Sequence, residues 1–355
     1  MFVNGPKYMT VKQALQHQIQ TGKLRPGDKL PNEEQLMKQF HVSGITIRKA
    51  MTELANEGAI TRIKRKGSFV NGAQAADHSS HLIAFILSAE DNYDVSYMKI
   101  IKGAQQVAAE FNYSLIVEWS NENLAIEQSS IQKMLDRKVD GFLIYPFDPI
   151  QSKDNYLFIE QNNIPYLLVD RYNVDHPSYF SGCNNYDGAI LATRELIRLK
   201  HTKIKFASYH FFLHSEQERF AGYCSAMRQA GLPVTDDNLL TRVDYVALAD
   251  SILKRNVTAL FCCNDKLAIE MIEKLTDLGI RIPQDVSIMG FDDWDHSGNL
   301  SIGLSTVRQD FEEIGRNAAN LLHQVIQGKT HGGNTKILSG VSLVIRESTC
   351  ENPYA

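Results

Sequence analysis

The sequence predicts an α/β protein in two parts. A small unit of helices closed by a β-hairpin comes first, followed by a larger body of parallel sheets covered on both faces by helices. Three observations carry this reading. The chain has 355 residues, beyond the roughly 100–200 of an ordinary domain. Its charge is split: residues 1–70 hold eight Lys and four Arg against five acids, a balance of +7, which leaves −11 of the net −4 on the remainder. From residue 81 onward, short apolar runs alternate with segments of helical period. Hydrophobic residues at 43% and charged residues at 22% exclude a disordered or collagen-like chain.

Local pattern orders the elements of the first part. Val11, Leu15 and Ile19 recur every four residues and make 10–20 an amphipathic helix. Gly22, Pro26 and Gly27 break it. Asn32 is suited to cap a second helix through Leu36, Met37 and Phe40, with Gln35 in the reciprocal capping position. His41 and Val42 make a short turn, and Ser43 caps again. Ile47, Ala50, Met51 and Leu54 share one face of residues 44–57, and Gly58 ends the run. Strands at 59–63 and 68–70 then flank Lys64, Arg65, Lys66 and Gly67. Helix, turn, helix and cationic hairpin make a winged helix-turn-helix, which sets its second helix in the major groove of DNA. A run of three cations is by itself an ordinary solvated turn. Placed behind a helix-turn-helix, it suits phosphates or the minor groove.

Residues 71–80, NGAQAADHSS, are small and polar without periodicity, as in a flexible connector. We place the first unit at 1–72, the linker at 73–80 and the body at 81–355. In the body, strands are expected at 82–87, 114–118, 141–145, 166–169, 204–208, 258–262 and 286–290. Helices are expected at 96–111, 124–138, 187–200, 216–230 and 265–278. Repeated βα units imply doubly wound parallel sheets. About 270 residues of them suit two lobes better than one sheet, and ligands in such sheets bind beyond the carboxyl ends of the strands.

Those ends are polar. They carry Tyr145 through Asp148, Asp170 with Arg171, Asn264 with Asp265, and Asp292 with Asp293, while Arg219 lies near a helix start. Such groups pair with the hydroxyls of a small polar ligand, and aromatics cover its apolar face. The alternatives are plain: an Asn or Asp there can simply cap the next helix, and Arg219 can form a surface ion pair with Glu216 or Glu218. His210 and His214 have i, i+4 spacing, but Phe211, Phe212 and Leu213 between them read as a loop or strand end, so no metal site is expected.

Residues 29–70 resemble the DNA-binding domain of GntR-family bacterial regulators. The matching steps are Leu30-Pro31-Asn32-Glu33, Val42-Ser43-Gly44-Ile45-Thr46-Ile47-Arg48-Lys49-Ala50-Met51 and Gly67-Ser68-Phe69-Val70. The resemblance places Asn32, Glu33, Ser43, Thr46, Arg48, Lys49 and the wing residues Lys64, Arg65, Lys66 and Gly67 at the DNA surface. It also shows a departure, because Gly44 stands where the family has a DNA-contacting Arg.

Residues 81–349 resemble the effector domain of LacI/GalR-type regulators, a two-lobed periplasmic-binding-protein-like fold. The matching pieces include KVDGFLIYPFD, IPYLLVDR, SEQERFAGYCSAM, the segment ALFCCNDKLAIEM through DVSIMGFDD, and LSTVRQDFEEIGRNAANLL. The resemblance implies effector contacts at Asp170, Arg219, Asn264 and Asp292. Tyr97 and Asp94 would line the cleft from the first lobe, with Tyr145 and Arg171 at its strand ends. The short hinge helix of LacI proteins has no counterpart in 71–80, so the wing would replace its DNA contact.

Both halves together imply a regulator of transcription. A homodimer would set two winged helices on a two-fold operator in double-stranded DNA, and would repress until a monosaccharide or related effector releases it. The alternatives are a co-repressor-dependent regulator answering a nucleoside, purine or sugar acid, and a cytoplasmic sugar-binding protein. A transport protein is disfavoured by the basic first unit and by a start, MFVNGPKYMT, without a secretory pattern. An enzyme is disfavoured by the lack of Gly-x-Ser-x-Gly, His-Glu-x-x-His or a Walker loop. No cofactor is expected. No run approaches the ~20 apolar residues of a membrane span, and five cysteines without Cys-x-x-Cys spacing point to a reducing cytoplasm.

Overall fold

The computed structural model describes residues 7–20, 23–25, 27–56, 59–63, 66–70, 80–88, 95–294, 302–330 and 334–355. The chain divides into two compact units, Met1–Ser79 and Ser80–Ala355.

The small unit runs α1 (Lys7–Gln20), α2 (Glu33–Phe40), α3 (Gly44–Asn56), β1 (Ile60–Ile63) and β2 (Gly67–Val70). A reciprocal capping box starts α2: the Gln35 N–H donates to Asn32 Oδ1 at 2.8 Å and the Asn32 N–H donates to Gln35 Oε1 at 2.9 Å. His41, at φ 52°, ends it in the left-handed conformation. The expected faces turn inward, burying Val11, Leu15, Leu36, Ile47, Ala50, Met51 and Leu54 against Ile60 and Val70 of the hairpin. Each such Leu, Ile or Val contributes roughly 1.5–3 kcal/mol when fully buried. The hairpin is antiparallel, pairing Ile60 with Val70 and Ile63 with Gly67.

The large unit begins β3 (Leu82–Leu87), α4 (Val95–Glu110), β4 (Ser114–Trp119), α5 (Leu124–Asp136), β5 (Gly141–Tyr145), α6 (Lys153–Gln161), β6 (Tyr166–Val169) and β7 (Tyr179–Cys183). It continues α7 (Asn185–Arg198), β8 (Ile204–Ala207), α8 (His214–Gln229), β9 (Leu239–Leu240), α9 (Tyr245–Leu253), β10 (Ala259–Cys262), α10 (Asp265–Asp277) and β11 (Ser287–Met289). It closes with β12 (Thr306–Gln309), α11 (Phe311–Ile326), β13 (Lys336–Ser339) and β14 (Val341–Val344).

Two parallel sheets result, one per lobe. The first has the order β13-β7-β6-β5-β3-β4 and the second β11-β10-β8-β9. The expected strands are present, but the chain is not a simple series of two lobes. It leaves the first lobe between β7 and α7, returns between β12 and α11, and leaves again between β13 and β14, which pairs antiparallel with β12. α6, α9, α11, β7, β9, β12, β13 and β14 fall where no element was expected. Local periodicity carries no record of these long-range pairings, so the crossovers could not be read in advance.

α11 packs on α4 through two glycines. A Cβ on Gly103 would strike the Glu312 carbonyl, and one on Gly315 would strike the Ile100 carbonyl. Replacing Gly315 by Ala should therefore destabilise the large unit by about 1–3 kcal/mol through overpacking. Urea unfolding followed by a probe in the large unit should show the lowered midpoint.

Candidate functional site

In the small unit, the candidate DNA-contact residues gather at the α2–α3 junction and the hairpin turn. Asn32 spends its side-chain oxygen on the cap. Glu33 accepts from Arg62 Nη2 at 2.9 Å and lies 3.9 Å from Arg48 Nε, so it tethers wing to helix. Ser43 Oγ and Thr46 Oγ1 are 3.0 Å apart at the start of α3. Arg48 Nε donates to the Gly44 carbonyl at 3.3 Å. Lys49 Nζ sits 4.2 Å above the Tyr8 ring. Lys66 and Gly67 are exposed at the hairpin, and Gly67, at φ 121°, lets Lys29 approach so closely that a Cβ would lie 2.7 Å from its Cε. Lys64 and Arg65 lie outside the described residues.

In the large unit, Tyr97, Tyr145, Asp170, Arg171, Arg219, Asn264 and Asp292 all line one cleft of about 470 Å³. This is within the ordinary range for a small-molecule site. Asp94 lies outside the described residues. The strand ends of the first lobe supply Tyr145, Asp170 and Arg171. Burial pushes the Tyr145 hydroxyl well above its usual pKa, so it stays neutral and donates to Asp170 Oδ2 at 2.8 Å. Arg171 donates to the Phe147 carbonyl at 3.0 Å and lies over the Tyr145 ring. Tyr97 meets that ring edge-on at 5.1 Å.

The second lobe supplies Arg219, Asn264 and Asp292. Arg219 is buried, 5% exposed, which rules out a surface ion pair with Glu216 or Glu218. Its Nε donates to Asn185 Oδ1 at 2.8 Å and its Nη1 to the Cys263 carbonyl. Nη1 lies 3.4 Å from Asp292 Oδ1, and the Phe291 ring is 3.7 Å below the guanidinium. Burial opposes its charge, yet its neighbours, Asp292 first, hold its pKa above the usual value. Asn264 does both things weighed for it. Its Oδ1 caps α10 by accepting from Leu267 N–H at 2.9 Å, and the residue lines the cleft. Asp170 and Asp292 occupy positive φ, 63° and 120°, conformations that cost a non-glycine residue about 1–3 kcal/mol and gather at ligand sites.

Phe147, within one of the expected strand ends, lines the cleft too, and so do residues not expected there, among them Glu216, Trp294 and Gln309. Glu216 precedes Arg219 by three residues on α8 and so shares its face, a signal that was readable. Gln309 sits at the β12–α11 crossover, and its Nε2 donates to Asp292 Oδ1 at 2.6 Å. Only the fold brings it there. His210 and His214 do not converge: His214 bonds Glu218 at 3.0 Å and packs on Tyr172, while His210 packs near Phe147. Among the described residues no cluster of His, Cys, Asp and Glu is placed to hold a metal ion. Among them, too, no helix is long and apolar enough to cross a membrane.

Comparison with known proteins agrees with both units. Residues 7–70 match the gntR family of bacterial regulatory proteins, and residues 193–349 match the periplasmic binding protein-like domain. The chain is 28% identical to the arabinose metabolism transcriptional repressor of Geobacillus stearothermophilus, over 98% of each chain. It is 31% identical to the HTH-type transcriptional repressor PurR of Vibrio cholerae, over 66% of this chain and 71% of that one. The crystal structure of the transcription regulator CcpA of Lactococcus lactis superposes with a TM-score of 0.67 at 20% identity, over 76% of this chain and 98% of that one.

A DNA-binding head and a two-lobed ligand-binding body define a transcription regulator that answers to a small molecule. The chain belongs to the bacterial regulators that carry a gntR-family DNA-binding domain ahead of a LacI-type, periplasmic-binding-protein-like domain.

The space at Gly44 makes the family departure testable. A Cβ there would lie 3.4 Å from Met37 Sδ and 3.6 Å from Arg48 Nη2, both ordinary contacts. Gly44→Arg should therefore leave the small unit folded, and should change DNA site preference or tighten non-specific binding. Randomised-site selection on both proteins checks this; identical sites and affinities would place residue 44 away from DNA.

Proposed function

We propose that the protein is a repressor of sugar-utilisation genes, acting in the cytoplasm as a homodimer on a two-fold operator and released when a monosaccharide closes the two lobes. The carrying observation is the cleft. Its lining comes from the strand ends of both lobes and from a crossover, so one ligand can bridge them. The name of the full-length Geobacillus relative supports arabinose as the first sugar to try.

The chemistry supports a neutral polyol. Among the described residues, five carboxylates (Glu122, Asp170, Glu216, Glu270 and Asp292) line the cleft against Arg171, Arg219 and Lys266. That balance repels phosphorylated or acidic ligands and offers acceptors to hydroxyl groups. Gln309 Oε1 is buried with no partner among the described residues; a ligand hydroxyl there would remove the cost of an unmet acceptor. Tyr97 and Tyr145 supply an apolar face. Burial raises the pKa of the neighbouring Cys183 and Cys263 thiols, which suits binding rather than nucleophilic catalysis.

Two measurements test the reading. A thermal-shift panel of monosaccharides on the full chain should find a sugar that raises the melting temperature by mass action. With that sugar, Arg219→Ala should bind at least tenfold more weakly in calorimetry, since a charged hydrogen bond contributes ~1.5–3 kcal/mol. It should still shift DNA in a gel but fail to release it. Unchanged affinity would remove Arg219 from the site, and lost DNA binding without sugar would mean a damaged body. Separately, DNA affinity should fall steeply with salt as the cations of the head displace counterions; salt-independent binding would contradict that interface.

A further inference from the structure

One face of α3 is turned away from the core of the small unit, and its composition specifies what it meets. Ile47, Ala50, Met51 and Leu54 are buried in the core of the small unit. Ile45, Arg48, Lys49 and Thr52 are exposed. Their spacing of three, four and seven residues puts them on one stripe, which the helical repeat turns away from the core. Ile45 stands at the front of that stripe, 75% exposed.

An isolated exposed isoleucine is unremarkable, but this one has an apolar setting within a cationic surface. Gly44 beside it has no side chain. A Cβ at Gly44 would touch Met37 Sδ at 3.4 Å, and Met37 is itself 37% exposed. Gly44, which adds no side chain, and the exposed Ile45 thus make an apolar tip at the start of the helix. Arg48 and Lys49 follow it, within a segment whose charge balance is +7. An anionic surface would meet the cations, and only an apolar group on that surface would complement the tip. In the major groove of DNA that group is the C5-methyl of thymine.

We propose that Ile45, next to the side-chain-free Gly44 at the start of α3, reads a thymine methyl in each half-site. The inference rests on the DNA-binding reading above and adds to it a base and an atom. Gly44 withdraws the side chain that the family's DNA-contacting arginine would present, and the apolar reader one residue on favours thymine.

The test uses the full chain. A duplex is first isolated by randomised-site selection, and each thymine, with its two-fold mate, is then replaced by uracil, which removes only the methyl. The wild type should lose about ten- to twentyfold in affinity at one position per half-site, the worth of the two methyls, one in each half-site, returned to water. Ile45→Ala, a surface change whose fold is checked by melting, should bind the thymine and uracil duplexes equally. A wild type indifferent to every uracil would overturn the proposal. So would an Ile45→Ala protein that keeps the full uracil sensitivity, or a selected half-site without thymine. If selection enriches no duplex at all, the DNA-binding reading itself falls and takes this inference with it.

Discussion

The buried guanidinium of Arg219 organises the strand ends of the second lobe. A charge taken out of water costs several kcal/mol unless it is paired and hydrogen-bonded. Here the start of α7 offers Asn185, the end of β10 a carbonyl, and the loop after β11 both Asp292 and the face of Phe291. Gly222, three residues on, lets α8 approach α7, since a Cβ there would strike the Tyr186 carbonyl. Asp292 is then shared. It faces Arg219 on one side and accepts from Gln309 on the other. One charge thus ties α8 to the start of α7, the end of β10 and the loop after β11 and, through Asp292, to a crossover.

That linkage bears on how a ligand would act. The two lobes are joined by three passages of the chain, one of which runs through Gln309 into α11. α11 in turn is locked on α4 by the paired glycines Gly103 and Gly315. A ligand between Asp170 in one lobe and Asp292 in the other would therefore act through Gln309 and α11 on the α4–α11 pair of the first lobe, and through Arg219 on the strand ends of the second. In the proposed function, its binding energy is spent on lobe closure and coupled to DNA affinity. That coupling is reciprocal, so DNA must weaken the sugar as much as the sugar weakens DNA.

The small unit solves a different problem. Its exposed stripe holds cations that, in the proposed DNA contact, would reach phosphates without collapsing onto the protein's own acids. Glu33 lies among them, pairing Arg62 and close to Arg48. Both pairs are exposed and so contribute little stability; their effect is to set the spacing of wing and helix. Lys49 leans over Tyr8 instead, which leaves Arg48 and the apolar tip at the front of α3.

Much of this was legible in the sequence because the signals are local. The capping box at Asn32, the buried face of α3, the hairpin and most βα units depend on residues a few positions apart, where helical and strand periods govern. The strand-end residues from Tyr145 to Asp292 were also legible, since parallel sheets gather their carboxyl ends on one side. Other features depended on contacts between residues far apart in the chain. The return of β13 to the first sheet and the pairing of β12 with β14 are examples. So are the place of Gln309 in the cleft and the burial of Arg219 against Asn185, Asp292 and Phe291. Sequence alone determined that there is a helix-turn-helix head with a hairpin and a body of βα repeats with polar strand ends. Tertiary structure decided which of those ends share one cleft, because only the crossovers between the lobes bring them together.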